Sequence, residues 1–177
     1  RGALLIGQVA QGRVHRLVHM PAGMRRLVGR GRRHVLLAQD TAALGPLDGV
    51  PVTIKDNLVV GGWPIRRGTT LSSAEPAPED APCTARLREA GAVILGKTTM
   101  PEYGWKGVGD SPLTGITRNP WNIATGPGGS SAGAAVAAAL NLGCIHLGTD
   151  GAGSVRIPAS FTGVFGLKPS YGRVPAW

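Results

Sequence analysis

The chain of 177 residues is long enough for one domain with a buried core, and its hydrophobic content of 42% is typical of a globular protein. Its 28 glycines and 14 prolines favour a turn-rich fold over a helical bundle. The net charge of +9 lies almost wholly in residues 1–39, which hold eight arginines and no acidic residue, so the nearly neutral remainder is not a nucleic-acid-binding body.

Residues 1–43 are predicted to form a basic N-terminal arm whose secondary structure the sequence does not define. Valine, leucine and arginine alternate there without a helical or strand period, and Pro21 and several glycines interrupt them. An arm of this composition could bind RNA, an acidic membrane or an import machinery, or have no function of its own.

The character of the sequence changes at Leu44. A Gly-Pro turn leads into the β-branched run Val50–Ile54, which predicts a strand, and Lys55 follows this strand directly. A lysine buried at a strand end would have its pKa lowered by desolvation. A surface lysine on an edge strand is the alternative interpretation.

A helix and a second strand come next. Asp80 is a suitable N-cap and Gly91 a suitable end, so we expect a short helix over Ala81–Ala90, followed by a buried strand in AVILG. Helix followed by strand is half of a βαβ unit, which predicts an α/β fold. We interpret the aromatic residues of the next, turn-rich segment as core residues, although they could instead line a pocket or cover a sheet edge; they are Tyr103, Trp105 and Trp121.

Two serine-containing glycine turns frame the most informative stretch, GPGGSSAGAAVAAALNLGCIHLGTDGAGSVRIP. Between them we expect an Ala-rich helix over Ser131–Leu142 and a short strand in CIHLGTD, and a further strand and turn in FTGVFGLKPSYGRV. A strand that runs back beside the helix can bring Ser154 close to Ser130.

These turns suit acyl transfer, because consecutive main-chain N–H groups near a serine can stabilise an oxyanion. The histidine nearest to the turns, His146, lies on a strand predicted to be buried, and His15, His19 and His34 lie in the arm, so a Ser-His-Asp triad is unsupported. Serine with a lysine base is a known variant, and Lys55 is then the best base. The rival interpretation is a phosphate-binding loop, but neither turn has the spacing of a P-loop or of a dinucleotide fingerprint.

The same stretch resembles the defining motif of the amidase signature family, and GVPVTIKDN resembles that family's lysine segment. Three further segments resemble the family in the same order, so the resemblance covers about residues 44–177. It implies a partial amidase signature fold with a mixed β-sheet flanked by helices. Because family members are several hundred residues long, it also implies an N-terminal fragment that lacks the C-terminal half and much of the substrate pocket.

The resemblance implies a Ser-cisSer-Lys triad with Ser154 as nucleophile, Ser130 as bridging serine after a cis peptide bond, and Lys55 as base. It also implies supporting roles, with Ser131 hydrogen-bonded to Lys55 and with Asp150 and Arg156 bracing the loop. The N–H groups implied to form the oxyanion hole are those of Gly151, Ala152, Gly153 and Ser154.

The implied function is hydrolysis of a carboxylic amide to an acid and ammonia or an amine, on a small-molecule substrate and without cofactor or metal. The alternative within the family is the glutaminase component of a glutamyl-tRNA amidotransferase, which usually has glutamine where Ile157 stands. The alternative from another class is an inactive fragment whose basic arm binds nucleic acid. The sequence is also compatible with a homodimer.

The cysteine content and hydropathy bear on the compartment. Cys83 and Cys144 form neither a disulfide framework nor a metal-ligand pattern, which favours a reducing cytoplasm. No apolar run is long enough to cross a bilayer, and ALLIGQVA is too short for a signal peptide.

Overall fold

The structure, a computed structural model, describes the backbone of Ala3–Ile6 and Val18–His19 and all of residues 44–175. The strands are β1 Ala3–Ile6, β2 Val18–His19, β3 Pro51–Lys55, β4 Val93–Thr98, β5 Asp110–Ser111, β6 Gly115–Ile116, β7 Ile145–Gly148 and β8 Phe165–Leu167. The helices are α1 Pro82–Glu89, α2 Ala132–Ala139 and α3 Arg156–Thr162, with a 3₁₀ turn over Glu102–Gly104.

The described strands form a mixed six-stranded sheet in the order β2-β4-β3-β7-β1-β8 and a separate hairpin of β5 and β6. β3 lies between β4 and β7 and is parallel to both, as expected of strands joined by helical crossovers. The pairings of β2 with β4, and of β1 with β7 and β8, are antiparallel. The expected mixed sheet flanked by helices is confirmed.

Side-chain alternation along β3 separates the two faces of the sheet. Val52 and Ile54 are fully buried in a cluster that includes Cys83 and Leu87 of α1. Lys55 and its neighbour Thr53 point to the opposite face, which α2 covers. The apolar side of β3 therefore builds the core, and its polar side is available for chemistry.

The Ala-rich helix α2 is buried along its whole length. Its small side chains allow close approach to the sheet, and the amide of Gly133 donates to the carbonyl oxygen of Thr99 at 3.0 Å. At the facing strand end, a Cβ on Gly148 would lie 2.6 Å from Ser131 Oγ. Glycine at these two positions lets the backbones come together.

Several predicted elements agree with the structure and one differs. The helix expected over Ala81–Ala90 is α1, and the strands expected around Ile54 and within AVILG and CIHLGTD are β3, β4 and β7. The sequence predicts no helix directly after the second serine-containing glycine turn, whereas α3 begins there, at Arg156. Pro158 masks the helical character of this segment, and packing of Val155 and Ala159 against α2 stabilises the helix.

The expectation for residues 1–43 lies outside the described residues, except for the backbone pairing of β1 and β2. Among the described helices, none is both long and apolar enough to cross a membrane.

We predict that Gly133→Ala destabilises the fold, because a Cβ there would overlap the amide nitrogen and the hydroxyl of Thr99. Alanine is the better helix former, yet the overpacking should cost about 2 kcal/mol in the free energy of unfolding, measured by urea denaturation. Gly126→Ala is the matched control, since nothing lies within 4 Å of a Cβ there and it should be neutral. Equal stabilities of the two variants would contradict this packing.

Candidate active site

Lys55 ends β3 on the face that α2 covers, and its side chain is fully buried. Its Nζ donates to Ser130 Oγ at 2.7 Å and to Thr149 Oγ1 at 2.9 Å. Burial of a primary amine disfavours its charged form, so the pKa of Lys55 falls to about 7, although the carboxylate of Asp150 opposes the shift. A substantial fraction of Lys55 is therefore neutral near pH 7, when its amine can accept a proton.

Ser130 lies just before α2, on the first of the two serine-containing glycine turns. The peptide bond between Gly129 and Ser130 is cis, as the resemblance implied. Gly104 also packs close to this serine, and a Cβ there would lie 3.2 Å from Ser130 Oγ. The hydroxyl of Ser130 is therefore in contact with Lys55 and close to the 3₁₀ turn.

Ser154 lies on the second glycine turn, just before α3, and is half-buried. The two turns are joined by a main-chain hydrogen bond, in which the N–H of Ser131 donates to the carbonyl oxygen of Ser154 at 2.9 Å. Within the described part of the chain, no hydrogen bond joins the Ser154 hydroxyl to Ser130, although both residues line the same cavity. The structure thus brings Lys55 and Ser130 into direct contact and Ser154 to the same cavity.

Asp150 organises the turn that carries Ser154. Its carboxylate accepts hydrogen bonds from the amides of Gly153, Val155 and Arg156 at 2.7 to 3.3 Å. The guanidinium of Arg156 donates two more, at 2.9 and 3.0 Å. Burial alone would raise the pKa of Asp150, but these hydrogen bonds outweigh it and hold the pKa well below its usual range. The carboxylate stays charged and fixes the turn.

The main-chain N–H groups of the turn divide into two sets. That of Gly153 is committed to Asp150, which differs from the expectation that it faces an oxyanion, because the carboxylate is close enough to accept it. No hydrogen bond within residues 44–175 uses the N–H groups of Gly151, Ala152 and Ser154. These three remain available to an oxygen atom in the cavity.

Ser131 contacts the site differently from the expectation. Its hydroxyl donates to the carbonyl oxygen of Thr149 at 3.2 Å and accepts from the amide of Thr149 at 3.3 Å. No direct hydrogen bond to Lys55 is present among the described residues, because Thr149 contacts both side chains and links them.

Sequence reasoning missed Thr149 and Asn57. Thr149 Oγ1 accepts from Lys55 Nζ and from Asn57 Nδ2, each at 2.9 Å. Their positions in the sequence could have revealed them, because each follows the end of one of two neighbouring parallel strands. The carboxyl ends of such strands meet at one edge of a sheet, where sites form. Buried His146 contacts Thr53 at 2.8 Å instead, and burial lowers its pKa to about 4, which keeps it neutral and outside the site.

The serines line a cavity of about 730 Å³. Tyr103 and Trp105 also line it and are 48% and 88% exposed, so their interpretation as core residues is wrong. Trp121 is 56% exposed and covers the end of α3, where its Nε1 donates to the carbonyl oxygen of Thr162 at 2.6 Å. The alternative interpretation, that these residues line a pocket, is correct for Tyr103 and Trp105.

The chain is similar to proteins that are named as amidases and amidotransferases. A family model described as Amidase matches residues 34–177. The A component of the glutamyl-tRNA(Gln) amidotransferase of Symbiobacterium thermophilum is 47% identical over 131 residues. Among solved structures, a crystal structure of an amidase is 50% identical with a TM-score of 0.70, and the peptide amidase of Stenotrophomonas maltophilia is 40% identical with a TM-score of 0.64.

These matches cover most of this chain but a minor part of the other proteins. The match to the amidotransferase component covers 74% of this chain and 27% of that protein. The match to the amidase covers 75% of this chain and 30% of the amidase, and the match to the peptide amidase covers 67% of this chain and 25% of that protein. The matching part contains the two serine turns and Lys55, since the family model begins before Leu44.

We predict that the buried amine of Lys55 makes stability depend on pH. The unfolded chain binds the lysine proton up to a pKa near 10.5, whereas the folded chain releases it near 7, so folding gains stability as the pH rises between these values. Relative to Lys55→Met, the wild type should gain about 1.4 kcal/mol per pH unit in urea denaturation between about pH 7.5 and 9.5. The control is Lys106→Met, at a solvent-exposed lysine, whose free energy of unfolding should change with pH as that of the wild type does. If the free energy of Lys55→Met also changed with pH as the wild type's does, Lys55 would keep its proton in the folded chain.

Proposed function

The chain belongs to the amidase family, and we propose that its protein hydrolyses a carboxylic amide through an acyl-serine intermediate. The observation that carries the proposal is the buried amine of Lys55, 2.7 Å from Ser130 Oγ, beside a cavity that Ser154 also lines. Burial of a lysine that has no acidic partner in hydrogen-bond range among the described residues lowers the stability of the fold. A role as the base of a serine relay explains why a lysine is present at such a position.

In the proposed reaction neutral Lys55 takes the proton of Ser130, and Ser130 takes that of Ser154. The oxygen of Ser154 then attacks the amide carbonyl carbon and forms a tetrahedral intermediate. The N–H groups of Gly151, Ala152 and Ser154 are the donors available to the oxyanion. The proton returns through Ser130 to the leaving nitrogen, the C–N bond breaks, and ammonia or an amine departs.

Water completes the cycle. It attacks the acyl-serine carbonyl and gives a proton to the same relay, and collapse of the second tetrahedral intermediate releases the acid and restores Ser154. Asp150 and Arg156 serve this chemistry by fixing the turn, and Thr149, itself hydrogen-bonded to Ser131, serves it by holding the amine of Lys55. None of these four needs to touch the substrate.

We further propose that residues 44–177 are the N-terminal portion of an amidase domain and that residues 1–43 form a separate basic arm. The coverage of the relatives, which extend far beyond this chain, supports the first part. The family model begins at residue 34 and so includes the end of the arm.

A second candidate is the glutaminase step of a glutamyl-tRNA(Gln) amidotransferase. The names of the similar curated proteins favour it, with identities of 47% and 49% to those of Symbiobacterium thermophilum and Deinococcus deserti. Against it stands Ile157, an apolar residue on the cavity wall, since the amidotransferase components usually have glutamine at this position.

We predict that Ser154→Ala lowers turnover of an amide by at least about 10³-fold in the intact protein that carries this sequence, because the nucleophile is lost. Lys55→Ala should reduce turnover severely as well. The control is Ser160→Ala, at an exposed serine of α3, which should leave kcat and KM unchanged. Ammonia release measures all three, and near-wild-type turnover in Ser154→Ala would refute the mechanism.

The substrate class is tested by comparing ammonia release from L-glutamine with release from benzamide and from a peptide C-terminal amide. A general amidase should favour the latter two in kcat/KM, because the cavity wall offers apolar Ile157 and exposed aromatic rings. A clear preference for glutamine would instead establish the amidotransferase alternative.

A further inference from the structure

A second cavity, of about 310 Å³, lies beside the ends of β3 and β4, and neither Ser130 nor Ser154 lines it. Its apolar wall consists of Trp63, Pro64, Met100 and Leu113. A concave site with apolar walls and a few polar groups is the usual form of a small-molecule site. We name it the Trp63 cavity.

An ion pair lies at the base of the Trp63 cavity. Lys97 is 6% exposed, and its Nζ lies 3.1 Å from Asp56 Oδ1 and 3.5 Å from the carbonyl oxygen of Pro64. An ammonium group has three N–H donors, so these two contacts leave one available. The carboxylate of Asp56 also accepts from the amides of Arg66 and Gly68, each at 3.4 Å, which leaves it little capacity for a ligand.

A further polar group of the lining is without a partner among the described residues. The guanidinium of Arg66 makes no hydrogen bond within residues 44–175, and its Nε is buried. Buried polar groups are nearly always hydrogen-bonded, so an unpaired guanidinium beside a cavity points to a ligand that supplies an acceptor.

The charge of the lining is positive. Asp56 balances Lys97, and Arg66 has no carboxylate within salt-bridge distance in residues 44–175. Arg67 adds a positive charge nearby, and its field is one of the causes that lower the pKa of Lys97, after desolvation. An anion therefore gains from entering, and its apolar body would pack against Trp63.

We propose that the Trp63 cavity binds a small organic carboxylate, with the carboxylate at Arg66 and the free donor of Lys97 and with an apolar or aromatic body against Trp63. The cavity volume is at the lower end of the range for ligand sites, which suits a body the size of a single ring. The site does not depend on Ser154, so a ligand there leaves the nucleophile free.

The proposal is tested with benzoate on the full 177-residue chain labelled with ¹⁵N. The indole N–H signals of Trp63 and Trp105 report on the Trp63 cavity and on the serine cavity respectively. Benzoate should shift the Trp63 signal saturably, and benzamide, which has the same ring without the charge, should bind at least about 10-fold more weakly. Movement of the Trp105 signal alone would place benzoate in the other cavity and overturn the proposal.

Arg66→Gln should weaken benzoate binding at least about 10-fold, since it removes the charge and the unpaired Nε. Its matched control is Arg67→Gln, which removes an equal charge from a neighbouring residue outside the lining and should change the dissociation constant by less than about 3-fold. Equal effects of the two variants would mean that benzoate responds to overall charge only, which overturns the site. Should Arg66→Gln fail to fold, the benzoate and benzamide comparison on the wild type still decides, and equal affinity there refutes the site.

Discussion

The buried contact between Lys55 and Ser130 is the constraint on which the arrangement of the site depends. The amine is buried there because β3 is parallel to strands on both sides and presents Lys55 toward α2. The helix must then be thin enough to approach the sheet, which explains its alanines and Gly133. The composition of a helix that takes no part in the chemistry thus follows from the position of one side chain.

The carboxylate of Asp150 lies near the amine of Lys55 but is not hydrogen-bonded to it. Asp150 is charged and raises the pKa of Lys55 somewhat, but all five of its hydrogen bonds come from the Arg156 guanidinium and from main-chain amides of its own turn. If Asp150 paired with Lys55 directly, the amine would keep its proton and could not serve as a base. Arg156 therefore holds the carboxylate in a place where it stabilises the turn without keeping Lys55 protonated.

The sequence alone predicted the elements around the site well, because the runs at β3, β4 and β7 are short, apolar and bounded by turns. It also singled out Lys55, Ser130 and Ser154, of which two come from glycine turns and one from a strand end. It missed α3, because the burial of Val155 against α2 is a tertiary effect that periodicity does not show. It missed Thr149 for the same kind of reason, since only the pairing of β3 with β7 brings that hydroxyl to Lys55.

The adjacency of Lys55 and Asp56 restricts insertions and deletions in β3. Successive residues serve opposite sides of the sheet edge, one facing Ser130 and the other Lys97. Insertion or deletion of a single residue in β3 would exchange the amine and the carboxylate between the two cavities and would turn Val52 and Ile54 out of the core. The spacing from Val52 to Asp56 is therefore fixed for any descendant that keeps both cavities.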